Sequence, residues 1–252
     1  MLRIVLVLAL VASASCASNP APARQAPAPK APVAPAPSAP ARETPAPESI
    51  RWVQNSAEYQ AAFIQTYRLA TARVEQVAPS RKPGTWAVVL DADETILNNS
   101  TYQLERARLG LAFEQVSWTA WVRRREATPL PGAAAFLSRV HDLGGKIAVV
   151  TNRLDTECDD TKAVFANYQL AYDAMLCRVT GTPSDKNPRF DAVASGTALG
   201  SRTPVDVVMF IGDNIQDFPK LGQSVKTQGP SGFWEFGIRF FLLPNPMYGS
   251  WQ

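Results

Sequence analysis

The sequence predicts an α/β protein, a parallel sheet flanked by helices, and three observations carry that reading. Short, largely apolar runs such as 86–90, 147–150 and 206–211 alternate with stretches of helical periodicity. Polar residues stand just past the ends of those runs, Asp91 and Thr151 directly and Asp213 after Gly212. Gly and Pro mark most of the boundaries between the two patterns.

Taken in order, the first helix is capped by Asn55 with Glu58 as its third residue, and it presents Tyr59, Phe63, Tyr67, Ala70, Val74 and Val77 on one face. It stops before Pro79 and Pro83-Gly84, and the first strand, 86–90, follows. Residues 97–128 read as helical and irregular structure inserted after that strand. Pro131-Gly132 opens a helix carrying Phe136, Leu137, Val140 and Leu143, and Gly144-Gly145 closes it. The second strand, 147–150, runs into Thr151-Asn152. A helix from Thr156 to Leu170, a short strand 174–179 and a fourth strand 206–211 come next. A last apolar run, 239–243, precedes Pro244-Asn-Pro-Met-Tyr248-Gly. Strands alternating with helices in this way imply parallel pairing through right-handed crossovers. Such a sheet collects its ligands outside the carboxyl ends of its strands, where Asp91, Thr151 and Asp213 stand.

The chain has 252 residues of uneven composition. Residues 1–15 read as a signal peptide: Arg3, an apolar core from Ile4 to Val11, then small residues up to Ser15. That apolar stretch is too short for a stable membrane span. Cys16 follows in the setting of a bacterial lipoprotein processing site, although Ser13 occupies the position usually held by a large aliphatic residue. Cys16 is therefore the expected lipidation site and the only contact with a membrane, with plain secretion as the alternative. Residues 16–50 form a Pro/Ala-rich tether with almost nothing large and apolar to bury. From Ser18 to about Glu48, a polyproline conformation would reach on the order of 90 Å at about 3.1 Å per residue. Residues 51–252 are the globular head. The net charge of +3 is small, and no Lys/Arg block suggests a nucleic-acid polymer as partner; Arg123-Arg124-Arg125 reads as a solvated helix face. Cys158 and Cys177 could pair in an exported protein, but spacing alone does not establish it.

The chemistry starts at Asp91-Ala-Asp93-Glu-Thr95. Alternate residues of an extended chain point opposite ways, so these two carboxylates share a site only if the backbone is leaving the strand there. Two anions held close together call for a cation or a proton. The local reading is a metal-assisted site with one carboxylate as nucleophile and the other as proton shuttle. A calcium loop fails, because its sixth and twelfth positions from Asp91 are Ile96 and Tyr102 instead of Gly and Glu. A single histidine, His141, argues against histidine phosphatases and His-rich zinc sites.

Together, Asp91-x-Asp93-x-Thr95, Thr151, Lys186 and Gly212-Asp213-x3-Asp217 resemble the haloacid dehalogenase-like hydrolases. Gln54-Asn-Ser-Ala-Glu-Tyr59, the run from Asp93 to Tyr102, Trp118-x-x-Trp121-Val122 and Leu243-Pro-Asn-Pro-Met-Tyr-Gly249 narrow this to the class C acid phosphatases, the 5'-nucleotidase, lipoprotein e type. The resemblance implies a Rossmannoid parallel sheet with a small helical cap; the leader and Cys16 imply export toward the periplasm or cell surface, and Ala17, where an aspartate often signals inner-membrane retention, favours an outer-membrane anchor. It further implies Asp91 as nucleophile and Asp93 as acid and base. Mg2+ would be held by the Asp91 and Asp213 carboxylates and the Asp93 backbone carbonyl. Thr151, Asn152 and Lys186 would bind phosphate, and Asp217 would orient Lys186 or a metal-bound water. The substrates implied are small phosphomonoesters, nucleoside 5'-monophosphates and aryl phosphates. Tyr248 is a candidate stacking surface for the leaving group, and so are Trp118 and Trp121, one helical turn apart, although such a pair more often packs into a core. Two rivals stand beside this: a surface lipoprotein that binds nucleotides or haem on a relic fold, and a phosphotransferase on the same fold. The sequence leaves a homodimer open.

Overall fold

The computed structural model describes residues 45–252; the signal peptide, Cys16 and the tether up to residue 44 lie outside the described residues. Among the described residues no helix is long and apolar enough to cross a membrane. The described residues form seven α-helices and seven strands in the order α1 (Glu48–Asn55), α2 (Ala57–Val77), β1 (Trp86–Leu90), β2 (Leu97–Asn98), α3 (Ser100–Arg108), α4 (Gln115–Arg124), β3 (Thr128–Pro129), α5 (Ala133–Asp142), β4 (Lys146–Leu154), α6 (Cys158–Asn167), β5 (Ala174–Arg178), α7 (Asn187–Ala194), β6 (Asp206–Gly212) and β7 (Phe240–Leu242). Several 3-10 turns join them.

The first helix, α1, starts at Glu48, and its Ile50 and Val53 are buried. Asn55 does not cap α2. It ends α1, and Ser56 takes the cap, its hydroxyl accepting from the Tyr59 N–H at 3.1 Å. The apolar face of α2 is otherwise as its period predicts, with Val77 only half-buried at the frayed end.

Five strands form one parallel sheet in the order β5-β4-β1-β6-β7. Along β1, alternate side chains serve opposite faces. Val88 and Leu90 join a core with α2, α5 and α6, while Ala87 and Val89 join a second core with Phe190 and Val193 of α7. The central strands therefore read as continuous apolar runs because both faces are covered. The β4 strand runs four residues past its predicted end. Its pairing with β5 breaks after Val150 and resumes at Leu154, so Thr151, Asn152 and Arg153 occupy an irregular step at the rim of the sheet.

The insertion after β1 folds into the cap: α3, α4 and a two-stranded β2–β3 ribbon. Tyr102, Trp118, Trp121 and Val122 seat it on the main core. Arg123 is exposed, Arg124 pairs with Glu105 at 2.7 Å and Arg125 with Asp160 at 2.8 Å, so the basic triplet is a solvated, ion-paired face.

Candidate active site

Asp91 ends β1, and the chain turns away at once. The N–H groups of Ile96 and Leu97 both return to the Ala92 carbonyl, at 3.0 and 2.8 Å, and Glu94 adopts a left-handed φ of 49°. This turn is the departure from the strand that Asp91 and Asp93 need to face one cleft, and both line it. Asparagine and aspartate usually occupy such a backbone; here Glu94 is held by its own side chain. Its buried carboxylate accepts from the Asn99 N–H at 2.8 Å and the Asn99 amide at 3.2 Å. Burial and the neighbouring Asp93 raise the Glu94 pKa to about 8.

Lys186 lies at the centre of the floor. Its Nζ donates to Asp91 Oδ1 and to Asp217 Oδ1, each at 2.6 Å. The sequence suggests a polar, solvated loop there. Lys186 is instead only 4 % exposed and precedes α7, a helix that the Pro188-containing stretch gave no periodic sign of. Burial by itself would lower the ammonium's pKa; the Asp217 and Asp91 carboxylates outweigh it and push it upward.

Asp213 follows β6 directly. Its two oxygens accept from the Thr95 hydroxyl at 3.3 Å and the Asn245 amide at 2.8 Å. Asp217 returns through a 3-10 turn to accept the Asn214 N–H at 2.8 Å. Oxygens of Asp91, Asp213 and Asp217 all lie within 4.8 Å of one another. The Lys186 ammonium thus bonds two of three clustered carboxylates. Burial, aided by Asp217 and Asp93 and opposed by Lys186, pushes Asp91 up to about 7. Burial together with Asp217 and Asp91 drives Asp213 well above the usual carboxylate range. An oxygen-only donor set with surplus negative charge fits a hard divalent cation. The Asp93 side chain stands outside this cluster.

The phosphate-binding candidates are unequally placed. Asn152 lines the cleft, and its amide oxygen accepts from Arg189 at 2.6 Å. Thr151 is fully buried: its hydroxyl accepts from the Arg153 N–H at 3.1 Å and its carbonyl from Arg189. The cleft measures about 510 Å³, and Phe113, Trp118 and Tyr248 form aromatic walls. Trp121 does not reach it. That ring is 2 % exposed and stacks on Trp118 at 5.4 Å, because the shared helical face of the pair is the one the cap buries. The C-terminal segment reaches the cleft because Leu243 N–H bonds the Gly212 carbonyl at 2.9 Å and Ser250 donates to Asn214 at 2.7 Å. His141 lies elsewhere, 2.8 Å from Asp173 beside Lys146.

Sequence reasoning missed Arg153 and Asn99 as site residues. Arg153 is buried and its Nε donates to Asp93 Oδ1 at 2.9 Å, while the Asn99 amide donates to the same oxygen at 2.9 Å. The only sequence signal was an arginine two residues beyond a strand-end threonine.

The family model described as HAD superfamily, subfamily IIIB (acid phosphatase) matches residues 6–251. Two solved structures of the class C acid phosphatase from Bacillus anthracis are similar over 81 % of this chain and 84 % of theirs. One, with tungstate bound, is 28 % identical with a TM-score of 0.71; the other is 29 % identical with a TM-score of 0.69. The parallel sheet, the carboxylates gathered at its strand ends and a match that runs almost the length of the chain agree, and the protein belongs to the acid phosphatases of the haloacid dehalogenase superfamily, subfamily IIIB, as a phosphomonoesterase.

Proposed function

We propose that this phosphatase is exported, depends on Mg2+, and hydrolyses nucleoside 5'-monophosphates and small aryl phosphates through an aspartyl-phosphate on Asp91. The observation that carries the reading is the floor of the cleft: Asp91 beside a lysine 2.6 Å away, with Asp213 and Asp217 closing a carboxylate cluster and Asp93 set apart from it. The Asp91 carboxylate attacks phosphorus as the bond to the alcohol oxygen breaks. Asp93 gives that oxygen its proton. Asp93 then takes a proton from the water that attacks the acyl phosphate, and inorganic phosphate leaves with Asp91 restored. Lys186 neutralises charge on the phosphoryl oxygens and holds Asp91 for attack, with Asp217 fixing the lysine. Asn152 borders the phosphoryl position, and Thr151 supports that rim from beneath through Arg153 and Arg189. The Asp91 and Asp213 carboxylates and the Asp93 backbone carbonyl would hold Mg2+, which would supply Lewis-acid charge stabilisation when bound.

Aromatic walls over a cleft of this volume suit a nucleobase or aryl leaving group, with Tyr248 and Trp118 as the stacking candidates. Tungstate in the Bacillus anthracis enzyme is a tetrahedral oxyanion like phosphate, which supports an oxyanion position in this cleft. The joined Cys158–Cys177 pair supports export, because disulfides persist in oxidising compartments. Processing after residue 15 and lipidation of Cys16 would then anchor the protein at the outer membrane.

The test is a panel of nucleoside 5'-monophosphates and aryl phosphates, assayed with chelator-stripped protein before and after Mg2+ is restored. Restoration should return turnover, and Asp91→Asn should remove at least about 10³-fold of it. Full activity in chelator, or hydrolysis of aryl phosphates alone, overturns the metal or the substrate assignment respectively. Fractionation of a Cys16→Ser variant should move the protein from membrane to soluble fractions; unchanged membrane association rejects the lipid anchor.

A further inference from the structure

Arg153 carries an arrangement that the reaction above leaves unused. Its side chain is 1 % exposed, and every arm of the guanidinium is occupied. Nε donates to Asp93 Oδ1 at 2.9 Å, and Nη2 lies 2.8 Å from the same oxygen. Nη2 also donates to Asn99 Oδ1 at 3.0 Å, and Nη1 to the Thr161 hydroxyl at 3.1 Å. The plane sits over the Trp118 ring, 5.4 Å from its centroid. A buried guanidinium is costly unless paired, and its planar fork fixes direction as well as charge. This one is held by Asn99 just before α3, Trp118 of α4 and Thr161 of α6, and Asp93 is its ion-pair partner among the described residues.

The consequence falls on Asp93. Both Arg153 contacts and the Asn99 amide at 2.9 Å converge on Oδ1, whereas among the described residues no donor reaches Oδ2. The carboxylate is therefore loaded on one oxygen only, with the side chain 18 % exposed and lining the cleft. Lys186, another cation lining the cleft, is committed to Asp91 and Asp217 and does not compete. We infer that Arg153 is a positioning residue for the leaving-group proton: it pins Oδ1 of Asp93, so that Oδ2 carries the proton and faces the bridging oxygen of the substrate. The inference rests on the reading of Asp93 as proton donor. The proton moves from Oδ2 to the departing oxygen as the P–O bond breaks and the Asp91–phosphorus bond forms, leaving Asp93 as a carboxylate against Arg153. Trp118 thereby gains a second task, since the cap helix that walls the cleft also seats the guanidinium.

Leaving groups separate positioning from general support. A nucleoside 5'-monophosphate expels an alkoxide that needs the proton, whereas nitrophenyl phosphate expels a phenolate stable without it. Comparison of kcat/KM confines the test to steps up to departure of the alcohol. Arg153→Ala should lower kcat/KM by about 10²-fold or more on the nucleotide and by less than about tenfold on nitrophenyl phosphate. Inhibition by inorganic phosphate should stay within about twofold of the parent, since the guanidinium's donors are spent on protein groups. Arg153→Lys, which keeps the charge without the fork, should show the same asymmetry in milder form and serves should the alanine variant not fold. Asp93→Asn is the comparator. Should Asp93→Asn be asymmetric while both Arg153 variants lose equally on the two substrates, or lose phosphate inhibition, the inference falls and the proton-donor reading stands. Equal losses for Asp93→Asn itself would overturn that reading and the inference with it.

Discussion

Asp217 owes its place beside Lys186 to an absent side chain. A β-carbon at position 212 would collide with the Asp217 carboxylate and its β-carbon, so the end of β6 admits only glycine while the 3-10 turn folds back upon it. Asp217 could not otherwise accept the Asn214 N–H and hold the lysine at once. Gly212→Ala should therefore destabilise the protein by about 1–3 kcal/mol, as overpacking does. It should also lower kcat, because Lys186 loses one of its two anchors. Urea unfolding alongside kinetics checks this, and a variant with parental stability and turnover would show that the turn has room to yield. The residue scale also holds what the sequence showed least. Asp91, Asp93 and Asp213 are legible because each follows an apolar strand. Arg153 and Asn99 are not, because their significance lies in a contact across 54 residues that no local pattern announces.

Among elements, the periodic ones were legible and the irregular ones were not. The strands β1 and β6 and the helices α2 and α5 keep one period for their whole length, and each lies within a residue or two of its predicted position. The α7 helix escaped notice because it has only eight residues, two of them buried, after a polar approach. The end of β4 escaped because a strand that resumes after a bulge has no continuous pattern. The disulfide belongs to this scale as well. It ties the first residue of α6 to β5 with a sequence separation of 19, and the spacing left that pairing undecided. A loop of this size is worth about 3 kcal/mol through restriction of the unfolded chain. Reduction, or Cys177→Ser, should lower the unfolding free energy by that order, and equal denaturation midpoints with and without reductant would count against it. Because Glu157, next to Cys158, accepts from Gln115 and Thr119 of the cap, loosening this corner should also make the cap easier to detach.

For the whole molecule, the carboxylate cluster links stability to pH and to metal. Asp91 and Glu94 are raised from 3.8 and 4.5 to about 7 and about 8, each chiefly by burial, and Asp213 moves the same way. Groups raised in the folded state bind more protons there than in the unfolded chain. Their contribution therefore favours folding increasingly as pH falls from about 8 toward about 4, and it is lost as pH rises through their folded pKa values. The chelator-stripped protein should accordingly be more stable near pH 5 than near pH 8. A divalent cation, which needs the ionised carboxylates, should raise the melting temperature most at the alkaline end. Melting curves across that range, with and without Mg2+, test both signs. A metal-free protein that gains stability with rising pH would contradict the burial of these groups.

The sequence by itself determined the α/β class, the strand-end positions of the acidic residues and the family resemblance. Those are one-dimensional properties: a run of apolar residues has a period, and the residue after it has a fixed place on the strand. Only the tertiary structure decided which charges share a partner. Lys186 reaches Asp91, and Arg153 reaches Asp93, because β4 and β6 both flank β1 in parallel register and bring loops 60 to 95 residues apart to one rim. Strand order is a global choice among packings, and no stretch of the chain carries it alone.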